Sequence, residues 1–272
     1  AAAKPASTGI AELPCVDFDV VVVCVDFEDV GKLCRLYDIQ QTEKLFYMTL
    51  PNVHTQFSVR RILDIKFRLG LFEQPYADPE TTMDVRLCEE HRNTALEAAR
   101  QGIVLLKNDG LLPLDQKKYK RVLVTGINAD DHNILGDWTA AQKPENCVTI
   151  LEGLRMIAPE TDFVFVDQGW DPQGMSQAKV DEAVAKARTC DLNIVVAGEH
   201  MFRGNWTRKT CGEDTDRSAI DLVGLQQQLV ERIHATGVPT VVVLVTGRPL
   251  GVEWIAENVP ALLNAWEPGM YG

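Results

Sequence analysis

The 272-residue sequence lacks an apolar run approaching the roughly 20 residues of a membrane-spanning helix. It also lacks an initiator methionine, and its first residues, "AAAKPASTG", do not include the apolar stretch of a signal peptide. The last residues, "AWEPGMYG", follow directly on an apolar run. We therefore expect a segment of a longer protein with no membrane span, and the sequence leaves its localisation open.

Basic residues and cysteine motifs are also scarce. The chain has 27 Lys and Arg against 39 Asp and Glu, a formal net charge of -12, and only the short run "QKKYKR" is basic, which argues against a nucleic-acid partner. The 7 cysteines form no CxxC pair, which excludes a zinc ribbon and a thioredoxin-like redox motif. Their odd number leaves any disulfide framework incomplete, and we interpret most of them as small buried hydrophobic residues.

What the sequence does contain is typical of a globular protein, with 46% hydrophobic and 24% charged residues. Residues 18–25, "FDVVVVCV", predict one strand, and "SVRRILDIKFRLGLF" predicts a helix. A stretch with Pro75, Asp78 and Pro79 indicates a linker. The acidic "ETTMD" then predicts the start of a helix that ends at Gly102.

From there, strands and helices alternate. The runs "IVLL", "RVLVTG", "FVFVD", "LNIVVAG", "TVVVLVTG" and "ALLNAW" predict strands, and "SQAKVDEAVAKARTC" and "LVGLQQQLVERIHATG" predict helices between them. Runs that are apolar throughout indicate strands covered on both faces. We therefore predict an α/β sandwich with a largely parallel sheet of about six strands, whose ligands lie beyond the carboxyl ends of the strands.

Four polar loops follow predicted strands, and the loop after residue 197 is unusually long. Carboxylates on separate segments are what a glycosidase requires, because it needs a nucleophile or base and a proton donor. Each acid has a plainer interpretation: Asp26 is a helix cap, and Glu213 belongs to a helix lead-in. Trp138 is then a packed aromatic residue, and His200 is a hydrogen-bonded loop residue, since no second His lies at metal-ligand spacing. The "VTGINADD" turn lacks GxGxxG spacing, so its signal for nucleotide binding is weak.

Several motifs in sequence resemble glycoside hydrolase family 3, the β-glucosidase and exoglucanase family. The resemblance begins with "RRILDIKFRLGLFEQPY" and "AARQGIVLLKNDGLLPL" and covers nearly the whole chain. It continues in order through "GINADD", "LGDW", "TILEGL", "CGEDTDRSAIDLVGLQQQLV", "VVVLVTGRPL" and "LLNAWEPG". It implies that residues 1–72 are the end of a (β/α)8 barrel, 73–101 a linker with a leading helix, and 102–272 the α/β sandwich, truncated at its end.

The resemblance also assigns roles to the acids. Asp26 stands at the family's nucleophile position, although Phe27 replaces the usual Trp and Val25 replaces a hydroxyl residue. Glu213 in "CGEDTDR" resembles the family's acid/base stretch, and Glu199 in "AGEH" is the competing assignment. The implied mechanism is retaining, with a glycosyl-enzyme formed on Asp26 and no metal or organic cofactor. The predicted substrate-binding residues are Phe27, Trp138, Trp206 and Arg217.

The implied activity is removal of terminal non-reducing β-glycosyl, foremost β-glucosyl, residues, and the implied partner is a β-linked oligosaccharide or β-glucoside. A complete barrel takes roughly 200 residues, so most of it is absent from this chain. The alternative is therefore an inactive or sugar- or protein-binding α/β domain. Family members often work outside the cytoplasm, so we expect an extracellular or periplasmic location. The sugar and the oligomeric state stay open, and the "NWT" sequon at residues 205 to 207 is a short match within the long loop.

Overall fold

The computed structural model describes residues 53–139, 142–201 and 207–271. The chain divides into two compact units, Ala1–Met83 and Asp84–Gly272. The strand predicted at residues 18–25 lies outside the described residues. Among the described residues, no helix combines the length and apolar character that a membrane span requires.

The described part of the first unit contains helix α1, Val53–Arg68, at the position where the periodicity predicts one. Lys66 and Arg68 lie in its last turn, where their positive charges interact favourably with the negative end of the helix dipole and stabilise the helix. The turn after it closes at Gly70, whose φ of 65° suits glycine. The barrel that the resemblance implies stays a prediction.

The single helix predicted to end at Gly102 is two helices, so that prediction is wrong at its start. Helix α2 spans Pro79–Val85 and helix α3 spans Glu89–Gly102. Leu87 separates them with a φ of 59°, a left-handed conformation that an α-helix cannot include. The predicted end at Gly102 is correct.

Six strands form one sheet in the order β1-β6-β5-β4-β2-β3, at the six predicted positions. Their bounds are β1 Val104–Asn108, β2 Arg121–Thr125, β3 Asp162–Val166, β4 Leu192–Gly198, β5 Thr240–Val245 and β6 Ala261–Trp266. Strands β2 to β6 pair in parallel, and β1 pairs with β6 antiparallel. This confirms the largely parallel α/β sheet and adds an antiparallel edge strand.

Helices cover both faces of the sheet. Their bounds are α4 Ile150–Ile157, α5 Gln177–Ala187, α6 Gln226–His234 and α7 Glu253–Asn258. On one face, Val195 and Val242 pack in a cluster with side chains of α5, α6 and α7. On the other, Ile194 and Val196 share a cluster with Leu151 of α4. Strand β4 is buried at all seven residues, as its largely apolar sequence predicts.

Two helices, α4 and α5, start at polar caps. A capping box starts α4, because the Thr149 hydroxyl accepts from the Glu152 N–H while the Glu152 carboxylate accepts from the Thr149 N–H. Ser176 caps α5 by accepting from the Lys179 N–H. These caps set where α4 and α5 begin after the loops at the carboxyl ends of the strands. Loops at these strand ends carry the polar residues of the candidate site.

Candidate active site

Strands β2 and β4 end at glycines that allow the backbones to pass very closely. Gly126 and Gly198 have φ values of 119° and 143°, in the region that L side chains rarely adopt. A Cβ on Gly126 would lie 1.9 Å from the Val196 carbonyl oxygen, and one on Gly198 would lie 1.9 Å from the Val245 carbonyl oxygen. These glycines let the loops after the two strands turn directly over the sheet edge.

Glu199 follows β4 and is buried, with 1% of its side chain exposed. Its Oε1 accepts from Arg217 Nη1 at 2.9 Å and lies 3.2 Å from Arg248 Nε. Its Oε2 accepts from the Thr246 hydroxyl at 2.7 Å. Both carboxylate oxygens therefore have hydrogen-bond or ion-pair partners. Two arginines and a hydroxyl group compensate the negative charge of this buried carboxylate, which favours a structural role.

The two arginines that contact Glu199 also hold the backbone of the long loop after β4. Arg248 donates to the carbonyl oxygens of Thr215 at 3.0 Å and Thr210 at 3.3 Å. Arg217 donates to the carbonyl oxygen of Asp221. The Glu199 carboxylate thus connects the strand end to the loop through charged hydrogen bonds, which are about twice as strong as neutral ones.

Glu213 lies further along this loop, partly buried, and its backbone is held by Asp137 and Lys209. Asp137 follows β2, and its Oδ2 accepts from the Glu213 N–H at 2.8 Å. Its Oδ1 accepts from Lys209 Nζ at 2.7 Å, and Lys209 Nζ also donates to the Glu213 carbonyl oxygen at 3.2 Å. The Asp137 and Lys209 side chains are 4% and 0% exposed, so this ion pair is almost fully buried.

The residues on both sides of Glu213 have positive φ. Gly212 has a φ of 100°, and a Cβ at this position would lie 2.6 Å from Cγ of Asp137. Asp214 has a φ of 55°, which aspartate tolerates better than most residues. The backbone therefore turns at both neighbours of Glu213.

Glu267 brings a further carboxylate, from the segment that follows β6. Its carboxyl group packs against two glycines, because a Cβ on Gly136 would lie 2.3 Å from Oε2 and a Cβ on Gly247 would lie 2.8 Å from Oε1. Glu267 is exposed as a whole residue, but partial desolvation of its carboxyl group raises its pKa, and the negative charges of Asp137 and Glu199 raise it further. Desolvation and nearby like charges both favour a protonated Glu267.

His200 lies directly after Glu199 and is buried. Its backbone N–H donates to the Thr210 hydroxyl at 2.8 Å, and its ring lies 5.1 Å from the Trp170 ring, centroid to centroid. Desolvation lowers the pKa of His200, while Asp131 and Asp171 oppose this shift. In the described parts of the chain, no group of three or more His, Cys, Asp or Glu residues is placed to hold a metal ion.

The predicted site residues are placed as follows. Glu199, Glu213 and Arg217 belong to the same loop system, and Trp138 adjoins Asp137 with 75% exposure. Asp26, Phe27 and Trp206 lie outside the described residues. Sequence reasoning did not select Asp137, Lys209, Arg248 or Glu267. Asp137 and Glu267 do occur in the quoted motifs "LGDW" and "LLNAWEPG", whereas Lys209 has no motif signal.

Together, the fold and this cluster define an α/β sandwich domain with several carboxylates and cationic partners in the loops beyond its parallel strands, where such sheets bind ligands. The "Glycosyl hydrolase family 3 C-terminal domain" model matches residues 103–272. The chain belongs to glycoside hydrolase family 3, which confirms the resemblance.

Its relatives are named glycosidases. A β-xylosidase of Formosa agariphila is 38% identical over 218 residues, which cover 77% of this chain and 29% of that protein. A periplasmic β-glucosidase of Salmonella typhimurium is 31% identical over 245 residues, covering 79% of this chain and 30% of that protein. A β-glucosidase from Listeria innocua, solved in complex with glucose, gives a TM-score of 0.65 at 30% identity, covering 78% of this chain and 28% of that structure. The chain thus spans under a third of each.

Proposed function

We propose that this chain forms part of a retaining β-glycosidase that removes terminal non-reducing β-D-glycosyl residues. The observation that supports the proposal most is the position of Glu213: its backbone is fixed by a buried ion pair, within the motif that resembles the family's acid/base stretch. A general acid must be held near the leaving oxygen to be effective. Membership of a family of glycoside hydrolases supports the reaction class.

In this proposal Glu213, rather than Glu199, is the acid/base. Both oxygens of Glu199 receive charged or hydroxyl donors, so proton transfer from Glu199 would first require that these contacts break. Removing one partner from such a buried network is costly. Glu213 lies in the motif that resembles the family's acid/base stretch, and its backbone N–H and carbonyl oxygen contact Asp137 and Lys209. We therefore assign Glu199 to hold Arg217 and Arg248, and Glu213 to donate the proton.

Asp26 is the proposed nucleophile, on the strength of the resemblance. It attacks the anomeric carbon while Glu213 protonates the departing oxygen, and a covalent glycosyl-enzyme results. Glu213 then removes a proton from water, which attacks the same carbon and releases the sugar with retained configuration. The negative charge of Asp26 favours a protonated acid before the first step. Phe27, Trp138 and Trp206 are the proposed aromatic contacts with the sugar, and Arg217 is a proposed substrate-binding residue whose Nη1 also donates to Glu199.

We propose a β-glucoside as the substrate and a β-xyloside as the next choice, since the relatives include enzymes named for each. The relative named as periplasmic supports the proposal of a location outside the cytoplasm. The domain division at residues 1–72, 73–101 and 102–272 likewise stays a proposal. A second candidate function is a sugar- or protein-binding α/β domain without turnover, since the family model matches the α/β domain at residues 103–272, whose polar loops lie beyond the parallel strands.

The test compares the 272-residue chain with the same chain extended by its flanking coding sequence, using aryl β-glucosides and β-xylosides. We expect turnover by the extended protein only. Asp26→Ala and Glu213→Ala should each reduce it by 100-fold or more, in line with the roughly 10²–10⁴-fold contribution of general acid-base groups. Turnover by neither protein, with sugar binding retained, would favour the second candidate. A Glu199→Gln variant that is folded but matches Glu213→Ala in its kinetics would instead point to Glu199 as the acid.

A further inference from the structure

We propose that the buried Asp137–Lys209 ion pair is a positioning pair that sets where the Glu213 carboxyl group stands during proton transfer. This inference rests on the proposed function, because it concerns how the proposed acid is held. The Asp137 carboxylate accepts from the Glu213 N–H at 2.8 Å, and Lys209 Nζ donates to the Glu213 carbonyl oxygen at 3.2 Å. The two partners of one ion pair therefore hold both backbone polar groups of a single residue.

Burial makes this arrangement stiff. The Lys209 and Asp137 side chains are 0% and 4% exposed, and Nζ and Oδ1 are 2.7 Å apart. Two charges at that depth favour close contact, because separating a buried ion pair is strongly destabilising. The pair therefore cannot rearrange as an exposed pair can, and the Glu213 backbone that it binds is restrained with it.

The turn geometry adds to the restraint. Gly212 packs so closely on Asp137 that its missing Cβ would lie 2.6 Å from Cγ of the carboxylate. The loop therefore meets Asp137 through the Gly212 backbone as well as through the N–H of Glu213. Since these neighbouring residues contact one carboxylate, Asp137 fixes the direction of the chain at Glu213.

Asp137 also joins two parts of the proposed site. It directly precedes Trp138, which is 75% exposed and is a proposed sugar contact. One residue thus links the aromatic side chain after β2 with the acid on the loop after β4, 76 residues further along the chain. The ion pair should therefore keep the distance between Glu213 and Trp138 constant.

The catalytic consequence follows from the sensitivity of proton transfer to position. A misplacement of about 1 Å can cost about 100-fold in rate. A poor leaving group such as phenolate needs protonation as the glycosidic bond breaks, whereas 2,4-dinitrophenolate leaves without it. Loss of the positioning pair should therefore slow hydrolysis of the phenyl glycoside selectively.

The test uses the flank-extended protein and kcat/KM values for phenyl and 2,4-dinitrophenyl β-glucosides, which report the bond-breaking step. The double variant Asp137→Leu with Lys209→Met removes both backbone contacts and both charges of the pair. We expect its phenyl-to-dinitrophenyl ratio to fall by about 100-fold. Asp137→Asn with Lys209→Met keeps an acceptor for the Glu213 N–H, so its ratio should fall less. Leu229→Ala removes a buried side chain of α6, which destabilises the domain without changing the loop, and should leave the ratio unchanged.

The outcomes separate the two proposals. If Glu213→Ala lowers the ratio but the folded double variant Asp137→Leu with Lys209→Met does not, the positioning role is refuted while the proposed function stands. If Glu213→Ala itself leaves the ratio unchanged, or wild type has no turnover, the proposed acid is wrong and the positioning role falls with it. If the variant Asp137→Leu with Lys209→Met does not fold, the variant Asp137→Asn with Lys209→Met provides the test. A lowered ratio then supports the proposal, and an unchanged ratio overturns it.

Discussion

A double-mutant cycle on Asp137 and Lys209 tests how the acid-bearing loop is held, independently of activity. Lys209→Met removes the cation that lies 2.7 Å from the Asp137 carboxylate, whose side chain is 4% exposed, and Asp137→Asn removes the anion that contacts the fully buried Lys209 ammonium. Removal of one partner from a buried pair costs about 3–5 kcal/mol. Each single variant should lower the free energy of unfolding by that amount.

The double variant should cost much less, because both charges of the pair are removed together and neutral replacements of buried pairs with similar volume are often close to neutral. It still loses the bond from Lys209 to the Glu213 carbonyl oxygen, worth about 1 kcal/mol. We therefore expect the double variant to lose about 1–2 kcal/mol. The coupling energy is the sum of the two single losses, about 3–5 kcal/mol each, minus the loss in the double variant. It should be at least about 4 kcal/mol.

The measurement is urea unfolding of the 272-residue chain and the three variants, followed by tryptophan fluorescence and circular dichroism. The exposed pair Arg232–Asp181, whose side chains are 38% and 56% exposed, provides the matched control cycle and should couple by less than about 1 kcal/mol. Single losses below about 1 kcal/mol, or losses that add to within about 0.5 kcal/mol, would refute the buried pair as a structural restraint.

Three further predictions concern single residues. The pKa of Glu267 is raised above its ordinary value in the folded state, so the wild-type protein loses stability as pH rises and Glu267 becomes charged. The Glu267→Gln variant lacks this ionisation. The free energy of unfolding of the variant relative to wild type should therefore rise between pH 4 and pH 7 in urea titrations. Asp214 has a φ of 55°, so Asp214→Val should lower the free energy of unfolding by about 1–2 kcal/mol whereas Asp214→Gly should not, and equal losses would argue against the left-handed turn. Trp138 is 75% exposed, so Trp138→Ala should change stability by less than about 0.5 kcal/mol while raising KM for a disaccharide in the extended protein; an unchanged KM would remove it from the sugar site.

The six strands could be predicted from sequence because each is a short apolar run between polar turns, and buried parallel strands are apolar on both faces. The antiparallel direction of β1 could not, since pairing direction depends on the partner strand, and its residues 104–108 are largely exposed. The break between α2 and α3 was also missed. Leu87 adopts a left-handed conformation without the glycine that usually signals one.

In the site, the sequence indicated Glu199 and Glu213 because both lie in the long loop after a strand. It could not distinguish their roles, which depend on contacts distant in the chain: Thr246 is 47 residues from Glu199, and Asp137 is 72 residues from Lys209. Lys209 looks like any loop lysine until the fold buries it against an acid. The sequence could not predict that pairing, because burial is a property of the folded loop.

The most direct measurement of the proposed chemistry is the configuration of the product formed with azide as external nucleophile. In Glu213→Ala of the extended protein, with 2,4-dinitrophenyl β-glucoside as substrate, azide should attack the glycosyl-enzyme on Asp26 and give the β-glycosyl azide. In Asp26→Ala, azide should attack the substrate itself from the opposite face and give the α-glycosyl azide. Nuclear magnetic resonance of the isolated products distinguishes the two anomers. The α-anomer from Glu213→Ala, or the β-anomer from Asp26→Ala, would contradict the assignment of the two residues.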